Sequence, residues 1–205
     1  MTQIGVLDYG ISNVGSVQNA FDFLGVASRL VAAPRELEDC SHVVVPGDGS
    51  FPEGMACLKN TGLAEAILRA AERGKMVLGI CLGMQLFAEE GEEFGLTGGL
   101  GLIPGRVVAM RSADPALPLP QVGWNDVALR DHARLGTGLG GRATFYFMQS
   151  FVFSDPGAPH VTAHCDYGGP RVSAVEKDNV MGVQFHPEKS QRAGLRLLKS
   201  FAELG

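Results

Sequence analysis

The segment Met76-Val77-Leu78-Gly79-Ile80-Cys81-Leu82-Gly83 holds the first side chain able to do covalent chemistry. A buried-strand pattern runs into Gly-x-Cys-x-Gly, and a helical pattern follows. This is the thiol counterpart of the G-x-S-x-G elbow, in which a nucleophile sits on a sharp strand-to-helix turn. Side chains two residues before and after the nucleophile would crowd neighbouring backbone, which gives Gly79 and Gly83 a steric reason to be there. A helix beginning at Leu82 should aim free N–H groups and partial positive charge at the sulfur. That matters because a free thiol near pKa 8.5 is only about 3% thiolate at pH 7, and the thiolate is the nucleophile. Cys40, Cys57 and Cys165 lack such flanks and read as structural.

A base and its orienter stand in Val183-Gln184-Phe185-His186-Pro187-Glu188. A strand ends at His186, and Pro187 prevents it from continuing as a central strand. Glu188 is then placed to hold the imidazole in one tautomer, so that the ring takes a thiol proton and returns it to a leaving amine. Alone, His-x-Glu is an ordinary polar turn; joined to a cysteine elbow it becomes a nucleophile, base and orienter. A third segment, Val43-Val44-Val45-Pro46-Gly47-Asp48-Gly49, puts Gly47 and Gly49 at a strand's carboxyl end. Backbone N–H groups there can meet a developing oxyanion with no Cβ in the way. No CxxC or HExxH spacing makes a zinc site of His160, His164 and Cys165, while His42 and His132 read as structural or solvated.

The elements that must position these groups alternate. Ile4–Leu7, His42–Val45 and Met76–Ile80 read as strands. Helices are predicted from Asn13 (Val14, Val17, Phe21 and Leu24 on one face), over Leu63–Glu72 and over Leu82–Glu90. This pattern predicts an α/β fold, an open and mostly parallel central sheet with helices on both faces. The second half is richer in antiparallel strands: Arg106–Ala109, Asn125–Ala128, Ala143–Phe147, Val161–His164, Val172–Val175 and Val180–Phe185. Ser190 is placed to cap a last helix with Leu195, Leu198 and Ala202 on one face. Ala113–Pro120 and Gly136–Gly141 read as surface loops, and residues 1–205 as a single domain.

Composition agrees with one compact domain: 205 residues, 45% hydrophobic, with a net charge of −5. Lys+Arg number 17 against 22 Asp+Glu, so nucleic acid is not the expected partner. The apolar stretch Met76–Ala88 is too short to span a membrane, the amino terminus has no secretory pattern, and scattered cysteines suit a cytoplasmic chain. Glycine is about twice its average usage, at 28 residues.

Together these residues resemble the class I glutamine amidotransferases, which use a Cys-His-Glu triad. The resemblance rests on Asp8-Tyr9-Gly10 with Asn13, Pro46-Gly47-x-Gly49-x-Phe51, Gly79-Ile80-Cys81-Leu82-Gly83-Met84-Gln85, Gly123-Trp124-Asn125, Phe145-Tyr146-Phe147 and Gln184-Phe185-His186-Pro187-Glu188-Lys189-Ser190. Gly-Trp-Asn with His-Pro-Glu-Lys-Ser is similar to the branch that serves as glutaminase subunits of imidazole glycerol phosphate synthases.

The resemblance implies Cys81 as nucleophile, His186 as base and Glu188 as orienter. It assigns Gly47 and Gly49 to the oxyanion, and Leu82, Gln85, Ser150 and Phe151 to glutamine. Asn13, Trp124 and Lys189 lie toward a (β/α)8-barrel cyclase subunit that receives the ammonia, and no metal or cofactor is implied. Rival readings are a glutaminase for pyridoxal phosphate or anthranilate synthesis, a general cysteine hydrolase, and a non-catalytic scaffold. Gly-Trp-Asn speaks against the first two, and an intact Cys81, His186 and Glu188 against the last.

Gln121 and Gln149 depart from histidines frequent in the family, and Asp48 adds a charge. A carboxylate about 6 Å from an oxyanion opposes it by nearly 3 kcal/mol at an effective dielectric of about 20, roughly a hundredfold in rate. The expectation is that the Asp48 side chain faces solvent or partner while the adjacent amide faces the site. Paired glycines also make a peptide flip cheap, so the oxyanion donor is expected to point away until the cyclase and its ligand bind.

Overall fold

The computed structural model describes residues 2–112, 114 and 117–205. In chain order its elements are β1 (Ile4–Leu7), α1 (Val14–Phe23), β2 (Ser28–Val31), β3 (His42–Gly47), α2 (Phe51–Thr61), α3 (Leu63–Glu72), β4 (Met76–Cys81) and α4 (Leu82–Gln85). There follow β5 (Glu90–Gly91), β6 (Thr97–Gly98), β7 (Arg106–Ala109), β8 (Gln121–Leu129), β9 (Arg142–Gln149) and β10 (Phe151–Phe153). The last are β11 (Val161–Asp166), β12 (Pro170–Lys177), β13 (Val180–Val183) and α5 (Gln191–Ala202).

Nine strands form one sheet in the order β2-β1-β3-β4-β13-β12-β11-β8-β9. The first five run parallel, and every pairing from β13 outward to β9 is antiparallel. The sheet is therefore mixed, its parallel half built by the βαβ units of the N-terminal segments. A small second sheet, β10-β7-β5-β6, lies beside it.

Strand periodicity sorts the core into two layers. Val43 and Val45 of β3 point to one face with Met55, Leu58, Leu63 and Ile67 of α2 and α3. Val44 points to the other with Val17 and Phe21 of α1 and Leu197, Leu198 and Phe201 of α5. Burial on both faces explains why these strands read as continuous apolar runs rather than alternating ones.

The predicted helix over Leu82–Glu90 stops after one turn. The carbonyls that should have continued it are taken by the returning chain: Leu100 N–H donates to Leu86 O, Ile103 N–H to Phe87 O and Gly101 N–H to Ala88 O. Ser190 stands at the N-cap position of α5 without capping it. Its hydroxyl donates to His186 O (2.6 Å) and accepts from Tyr146 N–H (3.0 Å), tying β9 to the turn after β13. Of the predicted Pro-rich loop, Ala113, Pro115 and Ala116 lie outside the described residues.

Candidate active site

Cys81 ends β4 with φ 54° and ψ −112°, a conformation few non-glycine residues adopt. The turn closes only because its neighbours lack side chains. A Cβ on Gly79 would lie 2.5 Å from Met84 N, and one on Gly83 would overlap the Val45 carbonyl oxygen. Both expected steric roles are thus visible as backbone contacts. The single turn of α4 offers orphan N–H groups near the sulfur but little of the summed dipole of a long helix, which corrects that part of the sequence expectation.

Gly83→Ala should therefore be among the most destabilising single changes in the chain. Because the obstacle is backbone, relief requires β3 or α4 to move, at about 3 kcal/mol or more. We expect the melting temperature to fall by about 6–12 °C, read by calorimetry; an unchanged value would mean the elbow is not tightly packed.

His186 follows β13, which pairs with β4 in parallel. Its ring Nδ1–H donates to Glu188 Oε1 at 2.9 Å, and both side chains are almost completely buried. Phe185 fixes the strand end by stacking on Phe145 (3.9 Å between ring centroids) and meeting Phe147 edge-on. A Cβ on Gly194 of α5 would overlap the Pro187 carbonyl oxygen, so that helix clamps the turn from below. Nε2 of His186 is buried with no hydrogen-bond partner. Burial disfavours the imidazolium, but the neighbouring Cys81 sulfur and the Glu188 carboxylate outweigh it and raise the pKa to about 10. The imidazolium form of His186 is therefore favoured beside Glu188.

The Cys81 thiol borders a cleft of about 220 Å³ whose wall includes Asp48, Gly49, Leu82, Gln85, Ser150 and Phe151. Of the sequence-assigned oxyanion and substrate positions, all but Gly47 line it, and Asp48, Glu93, Pro120, Met148 and Gln149 complete the wall. Gly49 is left-handed (φ 105°), and Gly47 packs so closely that a Cβ would sit 2.6 Å from the Tyr9 hydroxyl. Asp48 is half-buried, but its amide does not face the site: the N–H donates to Ile11 O at 3.0 Å. That corrects the expected orientation. The carbonyl after β1 captures this donor, so the Asp48 N–H is turned away from an oxyanion.

Trp124 is 50% exposed and meets the Tyr146 ring edge-on. Asn13 caps α1 by accepting from Ser16 N–H (3.4 Å), and α1 packs on the 187–189 turn that carries Lys189. Tyr146, which Trp124 meets, accepts from His186 N–H and donates its own N–H to Ser190, beside that same turn. Val122, Trp124 and Met148 are exposed apolar side chains on β8 and β9.

Two participants went unassigned from sequence. Tyr9 donates its hydroxyl hydrogen to Pro46 O (2.7 Å), and burial, then Asp48 and Cys81, push its phenol well above the ordinary value. Gln184 is fully buried with its amide toward Cys81. Nothing in the sequence marks either one except their place inside matched segments. His42 bonds Ser41 Oγ and Leu204 O (2.9 Å each), and His164 bonds Pro156 O (2.7 Å), both structural. Burial pushes the Cys165 thiol up, away from reactivity. Among the described residues no group of three His, Cys, Asp or Glu is arranged to hold a metal ion.

A cysteine elbow served by a buried His–Glu pair from the next parallel strand defines a class. Residues 5–203 match the family described as glutamine amidotransferase class-I, and the chain belongs to it. Within that class it is similar to the imidazole glycerol phosphate synthase subunit HisH of Syntrophotalea carbinolica, at 42% identity over 98% of this chain and 100% of that one. The HisH subunit of Helicobacter hepaticus is 41% identical, covering 98% of each. Among solved structures, PurLQS from Thermotoga maritima shares the fold with a TM-score of 0.77 and 21% identity, covering 98% of this chain and 97% of that one.

Proposed function

We propose that the protein is the glutaminase subunit of imidazole glycerol phosphate synthase in histidine biosynthesis, acting as one amidotransferase domain in the cytoplasm. The observation that carries this reading is the buried His186–Glu188 pair behind a strained cysteine elbow, in a chain about 40% identical to HisH subunits over nearly its whole length. One nine-stranded sheet joins both halves, and all four cysteines are free, as suits a single reduced domain.

In this reading the Cys81 sulfur attacks the side-chain carbonyl carbon of glutamine. His186 holds the thiol proton and delivers it to the departing nitrogen, which leaves as ammonia and yields a thioester. Water, deprotonated by His186, then splits the thioester to glutamate and restores the thiol. The Gly47–Gly49 segment and the first amides of α4 supply oxyanion donors, while Gln85, Ser150 and Phe151 hold the substrate. Asn13, Trp124 and Lys189 face the barrel cyclase, and the apolar rim of Val122, Trp124 and Met148 gives that partner a surface to cover. Ammonia passes to the cyclase, which forms imidazole glycerol phosphate and an aminoimidazole-carboxamide ribotide.

The amide of Asp48, held by Ile11, makes the isolated subunit a poor glutaminase. Adding the cyclase with its phosphoribulosyl substrate should raise glutamine hydrolysis by about 10²–10³-fold, the worth of one oxyanion donor. Glutamate release, measured with each component alone and together, tests both the partner and the flip. Equal rates with and without the cyclase would refute the gating, and a barrel cyclase that fails to bind would refute the assignment.

A further inference from the structure

Two buried carboxamides, Gln85 and Gln184, run from the cleft wall to the sulfur, and one backbone atom fixes the direction of their hydrogen bonds. The Phe151 carbonyl can only accept, so the part of Gln85 that meets it at 3.0 Å is the NH2 group. The same nitrogen meets Gln184 at 3.0 Å, so the atom there is the Gln184 carbonyl oxygen. What Gln184 turns the other way is its NH2, 3.8 Å from Cys81 Sγ. Neither amide can reverse without setting donor against donor or oxygen against oxygen. Gln184 is fully buried, so its side-chain amide is closed off from bulk water, and its backbone N–H is held by Ser173 O at 2.9 Å. With both hydrogens engaged, the carbonyl oxygen is what Gln85 has left to offer the cleft.

We propose that Gln85 and Gln184 form a polarised relay in which the Phe151 carbonyl dictates that an N–H donor always faces the Cys81 sulfur, favouring its thiolate. This deepens the reading of Cys81 as nucleophile and rests on it. Several groups act on that sulfur. The imidazole of His186, backed by Glu188, and the amide of Gln184 favour the anion. Asp48 beyond β3, Glu93 between β5 and β6, and the Met148 carbonyl, 3.8 Å away, disfavour it. Tyr9, at the end of β1, stays neutral. The relay offsets the acidic side of the cleft while leaving the Gln85 oxygen to meet an N–H of the substrate.

The test is the pH dependence of iodoacetamide alkylation at Cys81, followed by mass spectrometry of the Cys81 peptide in the full-length subunit. Gln184→Met removes the donor without charge, and we expect about fivefold slower alkylation at pH 7, the midpoint rising by about 0.7 pH unit. Gln85→Met leaves Gln184 in place but frees its amide to turn, and should shift the midpoint the same way by less. It carries the test if Gln184→Met fails to fold. Wild-type midpoints in folded Gln184→Met and Gln85→Met would overturn the relay. Retained glutamine hydrolysis in Cys81→Ala would instead overturn the assignment of the nucleophile, so the two failures are distinct.

Discussion

Cys81→Ala lowers glutamine hydrolysis by about four orders of magnitude or more, while the complex with the cyclase still makes product from added ammonia. The first half follows because Cys81 supplies the one thiol among the described residues lining the cleft, beside His186, and a triad whose nucleophile is lost retains only what binding and oxyanion contacts supply. The second half follows because the substitution leaves the elbow in place: the Gly79 and Gly83 contacts involve no Cys81 side-chain atom. Stopped assays with glutamine and with ammonium salt separate the two. Loss of the ammonia-dependent reaction as well would mean that Cys81 holds the assembly together rather than attacking glutamine.

Glu188→Gln is expected to cost about 10³-fold in glutamine turnover at neutral pH. The 2.9 Å bond to His186 Nδ1 lies in an interior that excludes water, where a neutral amide neither stabilises the imidazolium nor enforces one tautomer. The sign of the pH effect follows from the raised pKa. A histidine lifted from 6.5 to about 10 by its neighbours contributes stability that is complete below 6.5 and is lost as pH rises through 10. The variant should therefore be less stable than wild type chiefly below about pH 6.5, with the gap closing toward pH 10. Its activity should also fail at lower alkaline pH, because the imidazolium deprotonates sooner. Denaturant melts across pH and a pH–rate profile check both, and a pH-independent stability gap would show that Glu188 acts only by packing.

The cysteine elbow and the His186–Glu188 pair were legible because each sits in a local pattern whose reason is local: glycines around a turn, a proline closing a strand. β1, α3 and β4 were legible for the same cause, since both faces of these strands and one face of the helix are filled with apolar residues. Other elements were hidden. Phe51, Met55 and Leu58 of α2 have helical spacing, but Pro52 and Gly54 interrupt it, and only the shape of the site shows why: a Cβ on Gly54 would press on Leu86 at 3.0 Å. The two-residue strands β5 and β6 are too short to carry a period at all. The helix expected over Leu82–Glu90 was shortened by hydrogen bonds from residues 99–103, a competition that no window of sequence contains. Asp48 was misread in the same way, its amide claimed by Ile11 from a different strand's loop. The relay partners Gln85 and Gln184 are 99 positions apart, and their joint polarity exists only once the sheet has brought them together.

The place of β13 in the sheet bears on how the protein is made. It slots between β4 and β12, and Gln184 at its end follows Cys81 by 103 positions. During synthesis the elbow emerges long before the strand that brings its base, and such distant pairings form late. The nascent chain therefore carries a dormant thiol, with no imidazole to draw off its proton. Fragments ending before β13 are therefore expected to be inert rather than weakly active, with reactivity arriving by the same insertion that completes the sheet.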